Sequence, residues 1–450
     1  MSRIAYVLPL ASLVTAGLFS GCGSVNTGPD ASTTDADISG AATVETEAAL
    51  FGGSIGTNVG NIDIISMLPN NTVLETVKTD AAGNASIKVY PGGSVTAVYK
   101  HTVDMGADLI TYVGVKPGDT LVFGSRNFSL AGQTGTNLGS QTYSWPVQAG
   151  VANHCIFTSC GGSCNGVNAS TTLLESSTCH REPMDILYVG LNPSGLISHY
   201  NLRSNVAFTN GQNVAIGGWA VAPNATLTVS GVPPEVATVS GNWTSVVDAA
   251  VDNSIFTLFA QSYNGAPTGG AFSSTFAFHS TGDRTMGRVF LTRPNFQAIQ
   301  IVDQFNANTL TQTVAAPALT PWLQGAVAVS AALRTASWFL ISDANSVSDG
   351  LVLRLTWNHV VSAMNNAHQW HIIMPPGQTS IALPKLPAAF NDNLPASQDF
   401  INGQVRVFDI STVNGYDAVR TTVPSRNIMC VDCALRAGDF QRVVSSGAVQ

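Results

Sequence analysis

Short runs of β-branched and aromatic residues, each closed by glycine, proline or asparagine, recur from about residue 51 to the end of this 450-residue chain. Ala85, Ile87 and Val89 alternate with Ser86, Lys88 and Tyr90, the two-residue period of a half-buried strand. Turns are marked by Asp80-Ala81-Ala82-Gly83-Asn84, Pro91-Gly92-Gly93 and Lys116-Pro117-Gly118-Asp119. Between them, strands are expected at 74–79, 85–90, 94–100, 109–115 and 120–123. Short strands at this spacing build sandwiches, so the predicted fold class is all-β, with tandem β-sandwich domains.

The pattern continues to residue 450. Further strands are expected at 186–191, 206–209, 214–219, 226–230, 255–261, 275–279, 288–292, 298–302, 337–342, 351–357, 369–374 and 405–410. Asn210-Gly211 lies between two of these, a strong hairpin signal. Helical periodicity is nearly absent, and no repeat recurs at a fixed period. Prolines near residue 320 suggest a boundary. The segment 139–181 carries four cysteines and little periodicity, and reads as a disulfide-pinned loop.

The amino terminus follows a different logic. Arg3 precedes a mostly apolar run from Ile4 to Phe19, too short to span a bilayer, which takes about 20 apolar residues. A charged start, a short apolar centre and small residues before a cut describe an export signal. Leu18-Phe19-Ser20-Gly21-Cys22 resembles the lipobox of bacterial lipoproteins, with Phe19 where that family usually has Leu. The resemblance covers the first 22 residues. It implies cleavage before Cys22, acylation of that cysteine, and attachment to the cell envelope. Gly23 and Ser24, with no Asp after the cysteine, lean by the same resemblance towards the outer membrane. Each acyl chain contributes about 0.8 kcal/mol per buried CH₂, so several chains anchor firmly.

The expected organisation is a signal peptide at 1–21, the acylated Cys22 with a tether at 22–50, a β-sandwich at 51–124, a β-domain with the cysteine-rich segment at 125–320, and a carboxy-terminal β-domain at 321–450. The tether is rich in Gly, Ser, Thr and Ala, and its only charges are acidic. Such a composition buries too little apolar surface to offset its ordering entropy.

Charged residues are 10% of the chain, against about 25% in typical soluble domains. The net charge of −8 and the scattered 19 basic residues exclude nucleic acid as a partner, because binding phosphates needs clustered cations.

With Cys22 set aside for lipid, six cysteines remain: Cys155, Cys160, Cys164, Cys179, Cys430 and Cys433. An even number in an exported chain reads as disulfides. Zinc is the alternative, because His154 and His180 flank the first group, but the spacing matches no standard zinc ribbon. Cys430-Val431-Asp432-Cys433 has redox spacing without the strand-to-helix setting that lowers a thiol pKa, so it reads as a staple. The simplest pairing keeps the first four together and joins Cys430 to Cys433.

Thr79-Asp80-Ala81-Ala82-Gly83-Asn84-Ala85, followed by Ile87-Lys88-Val89-Tyr90, resembles carboxypeptidase-regulatory-like and related Ig-like modules. These carry a similar Thr-Asp-x-x-Gly turn between two strands. The resemblance covers about 70 residues and implies a non-catalytic accessory sandwich.

Catalytic patterns are weak. Gly52-Gly53-Ser54-Ile55-Gly56 fits G-x-S-x-G, but that nucleophile needs a strand before it and a helix after it. His359, His368 and His371 lie near Trp357 and Trp370. Strand parity puts His368 and His371 on opposite sides, whereas a zinc site needs one convergent face; the favoured reading is a hairpin with partly buried, hydrogen-bonded histidines. Asp343, Asn345 and Asp349 offer calcium-type oxygens without the EF-hand spacing. The seven tryptophans read mainly as core rather than as a sugar platform.

The resulting expectation is a non-catalytic envelope lipoprotein, held to the membrane by lipid, with a structural, adhesive or protein-binding role and an envelope protein or surface polysaccharide as partner. It calls for no cofactor and assigns no catalytic or metal-binding residue. The alternatives are a carbohydrate-binding surface lipoprotein, or an envelope hydrolase with metal near His359–His371.

Overall fold

The computed structural model describes residues 39–446 apart from 50–55, 102–105, 126–135, 167–168, 178, 249–254, 280–281, 295, 297, 308, 317–318, 344, 362–363, 398 and 430–440. Cys22, Ser54, Cys430 and Cys433 lie outside the described residues. The fold is all-β, arranged as tandem sandwiches, as the strand pattern predicts.

Four sandwiches follow one another. Sandwich I holds β1 (Gly40–Ala49), β2 (Gly56–Asn58), β3 (Asp63–Met67), β4 (Val73–Lys78), β5 (Asn84–Val89), β6 (Gly93–Lys100), β7 (Ala107–Val115) and β8 (Thr120–Ser125). Sandwich II holds β9 (Asn137–Ser144), β10 (Asn153–Thr158), β11 (Gly161–Cys164), β12 (Ser170–Ser176), β13 (Met184–Leu191), β14 (Ile197–Val206), β15 (Asn213–Ala215) and β16 (Ala220–Val221). Sandwich III holds β17 (Asn224–Ser230), β18 (Thr238–Asp248), β19 (Ile255–Gly265), β20 (Ala271–Ala277), β21 (Arg284–Thr292), β22 (Ile299–Ala307) and β23 (Thr311–Ala315). Sandwich IV holds β24 (Trp322–Ser330), β25 (Thr335–Ile341), β26 (Gly350–Val361), β27 (Met364–Met374), β28 (Ser380–Ala382), β29 (Ile401–Ile410) and β30 (Gln441–Ser446). Two short helices, α1 (Gly415–Thr422) and α2 (Ser425–Met429), connect its last two strands.

One topology repeats. In I, II and III the first strand pairs antiparallel with a mid-sandwich strand and parallel with a later one: β1 with β5 and β8, β9 with β12 and β15, β17 with β20 and β23. The facing sheets run β4-β3-β6-β7, β11-β10-β13-β14, β19-β18-β21-β22 and, in IV, β27-β26-β29-β30. Sandwich IV departs only in its small sheet, β24-β25-β28. The repeat lies in strand order rather than in sequence, so a search for recurring residues misses it.

Several expectations change. Residues 40–49 are strand, not tether: Ala42, Val44, Thr46 and Ala48 point into the core, while Glu45 and Glu47 alternate with them. Glu45 and Glu47, two of the tether's acidic residues, lie on the outer side of a strand. Segment 139–181 is mostly strand, within β9 to β12. Asn210-Gly211 joins two different sheets instead of closing a hairpin, since β14 belongs to one sheet and β15 pairs with β9. Gly211 has φ +77°, which suits glycine at such a corner.

Sandwiches III, IV and I share one sheet. β22 pairs with β30, and β27 pairs in parallel with β7. The sheet therefore has twelve strands and runs across residues 124 and 320, and the segment 125–320 holds two sandwiches rather than one domain. Its middle is buried on both faces. Ile64, Ala97, Ile110, Val352, Ile373 and Phe408 face one core; Ile65, Val98, Leu109, Leu351, Ile372 and Val407 face the other. Strands covered on both sides read as continuous apolar runs. The small sheet of I, with α1 and α2, contributes to the first core. The small sheets of III and IV contribute to the second, with Leu383, Leu386, Phe390 and Leu394. Sandwich II keeps a core of its own around Tyr143, Trp145 and Tyr188.

Candidate functional site

The joint between IV and I carries a cluster of polar side chains on one face of the central sheet. Along β26 the residues alternate. Leu351, Leu353, Leu355 and Trp357 enter the second core, and Val352, Arg354, Thr356 and Asn358 take the opposite face. Thr356 is opposite Asn402 of β29 and Gln369 of β27, and Gln369 is opposite Asp108 of β7. Asn402, Thr356, Gln369 and Asp108 therefore form one polar row across four strands.

This row helps to line a cleft of about 660 Å³. Arg354 Nε and Nη2 donate to Gln369 Oε1 at 3.2 and 2.9 Å. Gln369 Nε2 lies 3.0 Å from His371 Nε2. Asp108 is buried; Ser125 Oγ donates to its Oδ2 at 2.5 Å, and His101 Nε2 stands 3.3 Å from its Oδ1. Phe400 also lines the cleft and is 78% exposed.

The two histidines of β27, His368 and His371, do not converge. His368 is opposite Trp357 and stacks on it, with ring centroids 5.3 Å apart and planes 7° from parallel. His371 is opposite Arg354, on the other face. The side chain of His359 lies outside the described residues. No group of three or more His, Cys, Asp or Glu side chains able to hold a metal occurs among the described residues.

The acid–histidine–serine contact is also wrong for nucleophilic catalysis. A serine nucleophile hands its proton to a histidine that a carboxylate orients. Here Ser125 and His101 both meet Asp108, which leaves the carboxylate in the centre and the serine hydroxyl spent on it. The cleft is equipped to hold a ligand through charge and hydrogen bonds.

The calcium-type oxygens diverge. Asp349 Oδ2 accepts from the Ile410 amide at 2.8 Å, and its Oδ1 from the Gly415 amide at 2.9 Å. Asp343 stands 4.0 Å from Arg293, which is equally far from Glu235, so a guanidinium already supplies the positive charge. Six of the seven tryptophans are buried; Trp219 is half-buried and donates to the Pro146 carbonyl at 2.7 Å.

The first four cysteines pair as two disulfides, Cys155–Cys164 and Cys160–Cys179. Cys155 and Cys164 are direct neighbours across the β10–β11 hairpin. The second bridge ties the turn after β10 to the segment after β12.

Sequence reasoning located the β26–β27 hairpin but passed over Arg354, Thr356, Asn402, Asp108, His101 and Phe400. The signal lay in Leu353-Arg354-Leu355-Thr356-Trp357-Asn358, where one face is wholly apolar and the other wholly polar.

No family model matches the sequence, and no curated protein matches it. Among solved structures, the Bacillus anthracis TIE protein is similar at 10% identity and a TM-score of 0.15, covering 62% of this chain and 50% of that one. Trypsin-activated alpha-2-macroglobulin from Escherichia coli is similar at 8% identity and a TM-score of 0.10, covering 87% of this chain and 30% of that one. The chain thus spans half or less of the length of either neighbour, and at these scores neither bears on fold or function.

Proposed function

We propose that this chain is a lipid-anchored protein of a bacterial cell envelope. Its sandwiches act without catalysis in a structural, adhesive or protein-binding role, towards an envelope protein or a surface polysaccharide. The observation that carries this reading is the pair of disulfides in sandwich II. Such bridges persist in oxidising compartments outside the cytoplasm, in keeping with the export signal that ends at Cys22.

The repeated sandwich topology supports a display role, since each sandwich adds exposed surface to the chain. The Asp108-centred arrangement supports the non-catalytic reading, because Ser125 donates its hydroxyl proton to the carboxylate rather than to a histidine. The likeness of residues 79–90 to carboxypeptidase-regulatory-like modules is in keeping with both.

The test is labelling with radioactive palmitate in a bacterial host, followed by membrane fractionation. The wild-type chain takes up label and sediments with membranes; Cys22→Ser takes up none. Equal labelling of the two proteins contradicts the proposal.

A further inference from the structure

We infer that the cleft between sandwiches IV and I binds a saccharide that carries a carboxylate. This deepens the binding role proposed above and rests on that reading, although it needs no lipid.

The floor of the cleft is the face of a sheet, not its edge. The backbone groups of β29, β26, β27 and β7 are committed to one another in continuous ladders, so an extended peptide has no edge there to augment. A ligand must be read by side chains alone. Neighbouring strands lie about 4.8 Å apart, so the row from Asn402 through Thr356 and Gln369 to Asp108 spans about 14 Å, the length of two or three sugar rings. Amide and hydroxyl groups at that spacing offer both donors and acceptors, which suits a ligand with hydroxyls on every ring. Asn402 Oδ1 is buried and has no hydrogen-bond partner among the described residues. A buried acceptor left unmade favours a ligand that supplies an O–H.

Two features set the ligand class. Arg354 finds only the neutral oxygen of Gln369, and no carboxylate lies within ion-pair distance of it among the described residues. Asp108, the one carboxylate that lines the cleft among the described residues, is occupied by Ser125 and His101. An arginine fork held by a neutral amide matches a carboxylate in two-point geometry. Phe400 supplies an exposed aromatic ring, on which the apolar face of a sugar can lie. The cavity volume is in the range of small-ligand sites.

The experiment is calorimetric titration of the full chain with trigalacturonate, with neutral galactotriose and with acetate, accompanied by tryptophan emission because Trp357 lines the cleft. The inference predicts binding of trigalacturonate at least tenfold tighter than galactotriose, and none of acetate at equal concentration. Arg354→Gln abolishes the preference for the acidic trimer while retaining weak binding of the neutral one. Phe400→Ala weakens both trimers, and unchanged circular dichroism shows that each variant is folded. Equal affinity for the two trimers, a preference that survives Arg354→Gln, or no heat with either trimer overturns the inference. A palmitate-labelled protein that ignores both sugars sinks only this inference; an unlabelled protein that binds the acidic trimer sinks only the anchoring.

Discussion

Arg420 of α1 grips Asp119, in the turn between β7 and β8, across 301 residues of sequence. Its Nε donates to Asp119 Oδ2 at 3.0 Å and its Nη2 to Oδ1 at 3.1 Å. The guanidinium is 1% exposed. It lies over the ring of Tyr416, whose hydroxyl reaches the carbonyls of Val113 and Ile373 at 2.8 and 2.9 Å. Those carbonyls belong to β7 and β27, the strands that join sandwich I to sandwich IV. The ion pair and the tyrosine thus lock the seam beside which the polar row runs.

Breaking that pair strands a buried carboxylate. Removing one partner of a buried pair costs about 3–5 kcal/mol. Arg420→Met is expected to lower stability by that order in urea unfolding. Adding Asp119→Leu in the same chain should recover part of the loss, because no unpaired charge is left. A single variant as stable as the wild type would show that the pair does not fasten the seam.

The two disulfides close loops of 9 and 19 residues in sequence separation. Loop-closure entropy assigns each bridge about 3 kcal/mol, slightly more to the longer loop. Replacing Cys160 and Cys179 together by alanine should therefore lower the thermal midpoint at least as much as replacing Cys155 and Cys164. Titration of the denatured wild-type protein should find none of these four thiols free.

His279 gives a pH dependence of definite sign. It is fully buried against Phe278, Phe259 and Tyr200, and burial pushes its pKa down to about 3. The unfolded chain takes up the proton near pH 6.5 and the folded chain does not. Stability should fall as pH drops below about 6.5, by up to about 3 kcal/mol at pH 4. His279→Phe should remove that share of the slope. An unchanged slope would place the acid sensitivity elsewhere.

Asp409 works in the opposite direction. Burial, with Asp349 nearby, raises its carboxyl to about 6. The folded chain holds this proton between about pH 4 and 6, so its share of stability declines as pH rises through that window. Asp409 is half-buried, and screening reduces the penalty above pH 6 to about 1 kcal/mol. Asp409→Asn should stabilise at pH 7 by that amount and change little at pH 4, as measured by denaturant midpoints.

How much of this was legible in the sequence depended on how each strand is buried. β5 alternates cleanly because one face meets the core, and it was found nearly residue for residue. β3, with all five residues buried, shows no alternation and was passed over. β1 was hidden by its acidic outer face. The first four cysteines declared their bridges through number and context. The cleft did not declare itself, because it depends on β7 pairing with β27, a contact between residues about 260 positions apart. Local patterning shows which face of β26 is polar but not which strands lie beside it. The fourfold repeat stayed invisible for a related reason: a conserved strand order requires only alternating burial, which many residues satisfy.

The account stands or falls on how the chain is held outside the cytoplasm. Intact-mass measurement of the protein extracted from bacterial membranes tests this most directly. The predicted result is a chain that lacks residues 1–21, begins at Cys22, and is heavier than its sequence by a diacylglyceryl and an acyl group. A mature chain with an unmodified first residue, or one that retains Met1 to Gly21, would contradict it.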